Sequence, residues 1–145
     1  MGLLDDLTGG GQAQQDYQGF VGRYDQGAPY DGISDEEAQQ RHDELAQQLS
    51  PGDYQQAAQD SFTNMSGDER AQVGQQLADH AQQQGLDSAN IEAAGQGDPS
   101  SMGAIAGMLH EQAPGIVGQV LGGGGQASKG ALAGIVANAA RRFLG

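Results

Sequence analysis

Histidine and carboxylate side chains are the groups in this chain that could support a metal site or acid–base catalysis. The three histidines, His42, His80 and His110, each stand next to an acidic residue, but none belongs to a paired histidine motif on one helical face. No His-Glu-x-x-His, Gly-x-Ser-x-Gly, P-loop or EF-hand pattern occurs. A zinc site assembled in space from the three histidines stays open as an alternative. We nevertheless predict no catalytic residue, no metal ligand and no cofactor, and therefore a protein that is not an enzyme.

Two other segments imitate binding sites. The four glycines Gly122–Gly125 could form a phosphate-binding loop, but no Lys-Ser/Thr pair follows them and no strand pattern precedes them. We interpret them as a hinge or linker. The carboxylates at residues 35–37 and 68–69 could bind divalent cations weakly, but helix capping accounts for both groups without a ligand.

Composition and charge exclude several classes of protein. The chain has 145 residues, 19 of them acidic and 6 basic, and its net charge of −13 argues against binding to nucleic acid phosphates. The absence of cysteine excludes disulfides and thiolate chemistry. Leu, Ile, Val and Phe together make up only 17% of the chain, below the ~20% that usually separates folded from disordered chains of high net charge.

The charge is unevenly distributed along the chain. All acidic residues lie at or before Glu111, and the only charged residues after it are Lys129, Arg141 and Arg142. We therefore predict an acidic, glutamine-rich helical segment over residues 1–98 and a Gly/Ala-rich helical segment over 99–145, with one continuous domain as the alternative. The two arginines would lie in the last turn of a final helix, where cations complement the helix dipole.

Helical patterns dominate the acidic segment. Tyr17, Phe20, Val21 and Tyr24 share one face of a helix over residues 12–26, and this face favours core packing over an aromatic docking stripe. Three serines then start capping boxes at 16-residue intervals, each with a carboxylate three residues later. The three following helices have matching apolar faces, and Gly85 would end the last of them. These serines and faces are Ser34 with Ala38, His42, Leu45, Ala46 and Leu49; Ser50 with Tyr54, Ala57, Ala58, Ser61, Phe62 and Met65; and Ser66 with Val73, Leu77 and Ala81.

Small residues distinguish the C-terminal segment. We predict a helix capped by Ser100 or Ser101 that Pro114 ends, a short apolar segment over 115–121, and a final helix over 128–144. Three glycine pairs spaced by four residues predict close helix contacts with the acidic segment, another copy or a different protein: Gly103/Gly107, Gly118/Gly122 and Gly130/Gly134. The candidate interaction residues are Gly103, Gly107, Met108, Leu109, Gly130, Leu132, Gly134, Ile135, Val136 and Phe143.

Two segments resemble a known family. The opening Met1-Gly2-Leu3-Leu4-Asp5-Asp6-Leu7 and the segment Met108–Val117 are similar to the YidB-like family of uncharacterised bacterial proteins, although Ala113 stands where that pattern has Leu. The serine-capped middle is similar to conserved hypothetical bacterial proteins. The resemblance implies an all-helical fold and a bacterial origin, and it implies no catalytic residue.

The sequence thus predicts an all-α bundle of about five to six short amphipathic helices, with a Gly-rich hinge before a C-terminal apolar helix. We expect a non-enzymatic structural protein that forms homo-oligomers through its Gly/Ala-rich C-terminal helices. The alternatives are an accessory subunit that docks this segment on a larger complex or membrane surface, and an acidic, solvating stress-tolerance protein. The N-terminus lacks a signal-peptide pattern, and the 11 uncharged residues 130–140 fall short of the ~20 that span a bilayer, so we expect a cytoplasmic protein.

Overall fold

The computed structural model describes residues 12–26, 32–86, 88–113, 115–122 and 126–143. Every regular element within these ranges is a helix, which confirms the predicted all-α class. The described residues form eight helices rather than five to six, because residues 88–95 and 116–121 form two additional short helices. The helices are α1 (Gln12–Asp25), α2 (Asp35–Ala46), α3 (Pro51–Thr63), α4 (Gly67–Gln83), α5 (Ser88–Gly95), α6 (Pro99–Gln112), α7 (Ile116–Leu121) and α8 (Gln126–Phe143).

The three predicted serine caps start helices α2, α3 and α4. Each serine has an extended backbone, and its hydroxyl accepts a hydrogen bond from the backbone N–H three residues later, at 3.0–3.2 Å. At α2 the carboxylate of the predicted capping box has a different partner, because Glu37 forms a two-pronged ion pair with Arg23 at 2.6 and 2.7 Å. This pair ties the start of α2 to the end of α1.

The ends of α4 and the start of α6 test two further predictions. Gly85 follows α4 with φ = 75°, and Leu86 N–H donates to the Ala81 carbonyl at 3.0 Å, so the predicted glycine C-terminus is confirmed. The predicted caps of α6, Ser100 and Ser101, are wrong. The Asp98 carboxylate caps this helix by accepting from the Ser101 N–H at 2.9 Å, and Pro99 occupies the first helical position.

The predicted core faces of α2, α3 and α4 are buried throughout. On α1, Tyr17, Phe20 and Tyr24 are buried and Val21 is partly buried, so this face is a core face and not a docking stripe. The core is one contiguous cluster to which all eight described helices contribute. Helix α3 packs most extensively on α6 and α8, and therefore lies between these two C-terminal helices.

Helix α8 occupies the centre of the bundle. It begins at Gln126 instead of the predicted Ser128, and it contacts α1, α2, α3, α4 and α7. All residues from 130 to 140 are buried, so no side of this stretch faces solvent. At its end, Arg141 pairs with Asp25 of α1 and Arg142 pairs with Asp60 of α3 at 2.7 Å. The basic end of the chain is thus attached to the acidic helices.

Candidate functional site

Two of the three histidines meet a tyrosine in the interior. His42 on α2, Tyr54 on α3 and His110 on α6 have exposures of 1%, 0% and 3%. The Tyr54 ring stacks flat on His110, with centroids 4.3 Å apart and an interplanar angle of 2°, and it meets the His42 ring edge-on at 5.6 Å. The cluster thus joins α6 to the two consecutive helices α2 and α3, and we call it the His–Tyr–His cluster.

In one half of this cluster, hydrogen bonds link Asp43, His42 and Tyr54 in that order. His42 Nδ1 lies 3.0 Å from Asp43 Oδ1, and His42 Nε2 lies 2.5 Å from the Tyr54 hydroxyl. An ionised carboxylate only accepts hydrogen bonds, so the neutral imidazole of His42 donates from Nδ1, and its Nε2 then accepts from the tyrosine. Burial, and secondarily the Asp43 charge, raise the pKa of Tyr54 well above its usual value, which keeps the phenol protonated as a donor.

His110 forms the second half. Its Nε2–H donates to the Leu49 carbonyl at 2.8 Å, in the connection between α2 and α3. Its Nδ1 is buried and has no hydrogen-bond partner within the described part of the chain. Burial is the main cause that lowers the pKa of His110; the nearby His42 adds to this effect and the bond to Leu49 opposes it. The imidazole is therefore held neutral, with its proton on Nε2.

The order carboxylate–imidazole–hydroxyl is the one that activates nucleophiles in hydrolases. Here the hydroxyl belongs to a completely buried Tyr54, and both of its ring neighbours are buried as well. A nucleophile must approach its substrate to within about 3–3.5 Å, and the surrounding helices occupy that space. These hydrogen bonds therefore serve to orient α2 against α3.

A polar groove runs along α2 beside the cluster. It has a volume of about 500 Å³ and is lined by carboxylates and amides of α2 and of the two residues that follow this helix. Asp43 is the residue that connects the groove to the His–Tyr–His cluster. The other lining residues are Glu36, Gln39, Gln40, Glu44, Gln47 and Gln48.

The first predicted glycine pair lies where α6 packs on α3. A side-chain carbon added at Gly103 would lie 3.0 Å from Gln59 Cβ, and one added at Gly107 would lie 3.1 Å from Gln55 Cβ. The two glycines and the two glutamines are both spaced by four residues and run in opposite directions, so successive turns of the helices match. This pair forms a close contact within the chain.

The second predicted pair seats α7 on α2. A side chain at Gly118 would collide with Asp43 and His42, and one at Gly122 would lie 2.6 Å from Gln39 Oε1. The two pairs again match in an antiparallel sense. Gly118 thereby leaves room for the His42–Asp43 hydrogen bond.

On α8, the candidates whose side chains are described also lie inside the bundle. Gly134 faces Ser61 and Tyr24 so closely that any side chain would collide with both, and the Ser61 hydroxyl donates to the Ala131 carbonyl at 2.8 Å. Met108 is only partly buried. The side chain of Phe143 lies outside the described residues. The other candidate residues, Leu109, Gly130, Leu132, Ile135 and Val136, are buried.

The histidines and acidic groups do not converge on a metal site in the described residues. His80 lies near the end of α4, partly exposed, and is not part of the His–Tyr–His cluster. The carboxylates at 35–37 and 68–69 lie in the first turns of α2 and α4, as the capping interpretation predicts.

Sequence reasoning missed two close arrangements. It placed His42 and Tyr54 on buried faces but did not pair them with His110, although buried polar side chains require partners and only a few were available. It also missed Gly74 on α4, which lies directly against the Ala94 carbonyl of α5. A glycine beside the predicted core residue Val73 was the available signal for this contact.

Comparison of the chain with protein-family models, curated proteins and solved structures finds no match. The similarity to the YidB-like family therefore stays a prediction. Among the described helices, none combines the length and apolar character required to cross a membrane.

Proposed function

We propose that the protein is a non-enzymatic structural domain that associates with further copies of itself by exchanging its C-terminal helix. The observation that carries this proposal is the position of α8, which contacts five other helices and is buried along residues 130–140. Any association through this helix must use the surface that it already uses inside one chain. Exchange satisfies this condition, because α8 of one copy finds the same contacts in another.

Two features of the sequence support exchange. The run of four glycines at 122–125, of which 123–125 lie outside the described residues, precedes α8, and its composition predicts a hinge or linker. Every copy offers α8 the same surface, because α3 and the other helices around α8 are identical in every copy. The net charge of −13 opposes close approach of two copies, so association should increase with salt.

The non-enzymatic part of the proposal draws on the His–Tyr–His cluster. Its imidazoles and phenol are turned inward and bonded to the scaffold, through Asp43 and the Leu49 carbonyl. Such a buried, hydrogen-bonded network fixes the relative positions of helices. A structural role requires only these contacts.

Light scattering after gel filtration tests the association. Deletion of Gly123 and Gly124 should raise the dimer fraction of the full chain, because a shorter connection hinders α8 from folding back onto its own chain. Insertion of two glycines at the same place is the matched control and should favour the monomer. A deletion variant that stays monomeric at high micromolar concentration and 0.5 M salt, with native helical content, would contradict the proposal.

Cross-linking tests whether the helix is exchanged. The chain has no cysteine, so a single one can be introduced at each of two sites that are paired in the structure, Asp60→Cys and Arg142→Cys. A short bismaleimide should join a mixture of the two variants after co-refolding, because α8 of one then lies on α3 of the other. A mixture of Asp60→Cys with Asp35→Cys should not react. If dimers form but no cross-linked product joins the Asp60→Cys and Arg142→Cys variants, exchange is overturned.

A further inference from the structure

We propose that His110, stacked on Tyr54 with His42 behind it, is a pH-sensitive latch that holds α6 on α3 at neutral pH and releases it when His110 takes up a proton. This device is independent of the exchange of α8. The proposal starts from His110 Nδ1, which is the one buried side-chain polar atom in the described residues that has no hydrogen-bond partner.

The geometry places His110 where α6 meets two other parts of the chain. Its Nε2–H reaches the Leu49 carbonyl before α3, and its ring covers the face of Tyr54 on α3. Loss of this side chain from its site would therefore break a hydrogen bond and a ring stack at once. The adjacent contacts of Gly107 with Gln55 depend on the same close packing of α6 on α3.

A proton on Nδ1 would have no acceptor in this site. The added charge would be buried beside Tyr54, which is itself a donor to His42, and a buried ion without a partner is strongly unfavourable. The proton would thus be accommodated by moving the imidazole into water.

The surrounding ionisable groups do not compensate this charge. Helix α2 presents His42, whose charge would add repulsion, and Asp43 contacts the His42 ring nitrogen that is not bonded to Tyr54. Helix α3 presents Tyr54, and α7 carries no ionisable side chain. The nearest acid along α6, Glu111, is exposed. Helices α4 and α5 also pack on α6, and their acids Asp68, Asp79 and Glu92 are exposed, while Glu69 is partly buried at its own helix cap.

The direction of the pH effect follows from the protonation equilibrium. The pKa of His110 in the closed form is lowered, whereas a released imidazole titrates near 6.5. The closed form therefore has its full stability above about pH 6.5 and loses it as the pH falls below that value. One proton changes the opening equilibrium by at most about tenfold per pH unit, until the pH reaches the pKa of the closed form.

Hydrogen–deuterium exchange of the full chain at pH 5.5 and 7.5, corrected for intrinsic rates, tests the latch. In the wild type the opening of α6 should increase by up to about tenfold at the lower pH. His110→Gln keeps a neutral N–H donor for Leu49 but has no group that titrates in this range, so it should remove the increase. His80→Gln on α4 is the matched control and should keep it.

Two results would overturn the proposal. One is an unchanged pH response of α6 in a folded His110→Gln variant. The other is an NMR titration of the wild type in which the His110 ring has a pKa of 6.5 or higher in the folded protein. The NMR measurement needs no variant, so it decides the matter even if His110→Gln does not fold.

Discussion

Helices α2–α4 and helix α8 bury their residues in opposite ways. The first three each cover the core with one face and carry glutamines and acids on the other, whereas α8 is buried on every side over residues 130–140. A helix with apolar or small residues all round is typical of the centre of a bundle. Counted over the whole chain, the scarcity of large side chains suggests weak folding. In α8, however, small residues allow the helix to be surrounded by other helices.

The same comparison explains where the glycines lie. In α8, and in α6 and α7 before it, glycines allow a second helix to approach closely, and the approaching side chains are polar: Gln55, Asp43 and Ser61 all contact glycines. In α1, by contrast, Gly19 and Gly22 have nothing within 4 Å. Glycine is therefore required at the C-terminal contacts and replaceable on the outer helix.

The largest expected effect is on the central helix. Ile135→Ala removes a fully enclosed side chain from α8, and the cavity should lower the free energy of unfolding by about 2–5 kcal/mol. Val21→Ala on α1 removes a partly buried side chain and should cost far less. Urea unfolding followed by circular dichroism measures both. Equal losses for the two variants would contradict the central position of α8.

The glycine contrast predicts effects of opposite sign. Gly134→Ala should destabilise the chain by about 1–3 kcal/mol, because the added carbon collides with Ser61 and Tyr24. Gly22→Ala should instead stabilise it by up to about 1 kcal/mol, since this exposed helical position has free space and alanine is the better helix former. Thermal unfolding of both variants provides the test, and a stabilising Gly134→Ala would remove the argument for close packing.

The smallest expected effect concerns the helix caps. Ser66→Ala removes the hydroxyl that accepts from the Glu69 N–H and should cost about 0.5–2 kcal/mol. Ser100→Ala is the matched control: this exposed serine lies in the first turn of α6, whose cap is Asp98, and its loss should change stability by less than about 0.5 kcal/mol. A larger loss for Ser100 than for Ser66 would contradict the observed capping.

Local rules predicted the acidic helices well. The serine caps and core faces of α2–α4 depend on residues three or four apart, so the sequence contains all the information needed. The predicted cap of α6 was wrong for a physical reason of the same kind, because Asp98 followed by Pro99 is as good a helix start as a serine. Which of these residues caps the helix depends only on the path of the chain before them. The partners of the glycine pairs and of His110 depend on residues far apart in the chain, and no local rule supplies them.

By itself, the sequence determined the helical class, the positions of three capped helices, the acidic surface and the glycine spacings at which helices approach closely. Only the tertiary structure decided that those glycines contact the chain's own helices, that α8 is central, and that His42, Tyr54 and His110 meet. The physical reason is that a glycine pair offers the same close approach to any helix, whereas the partner is selected by the packing of all eight described helices into one core.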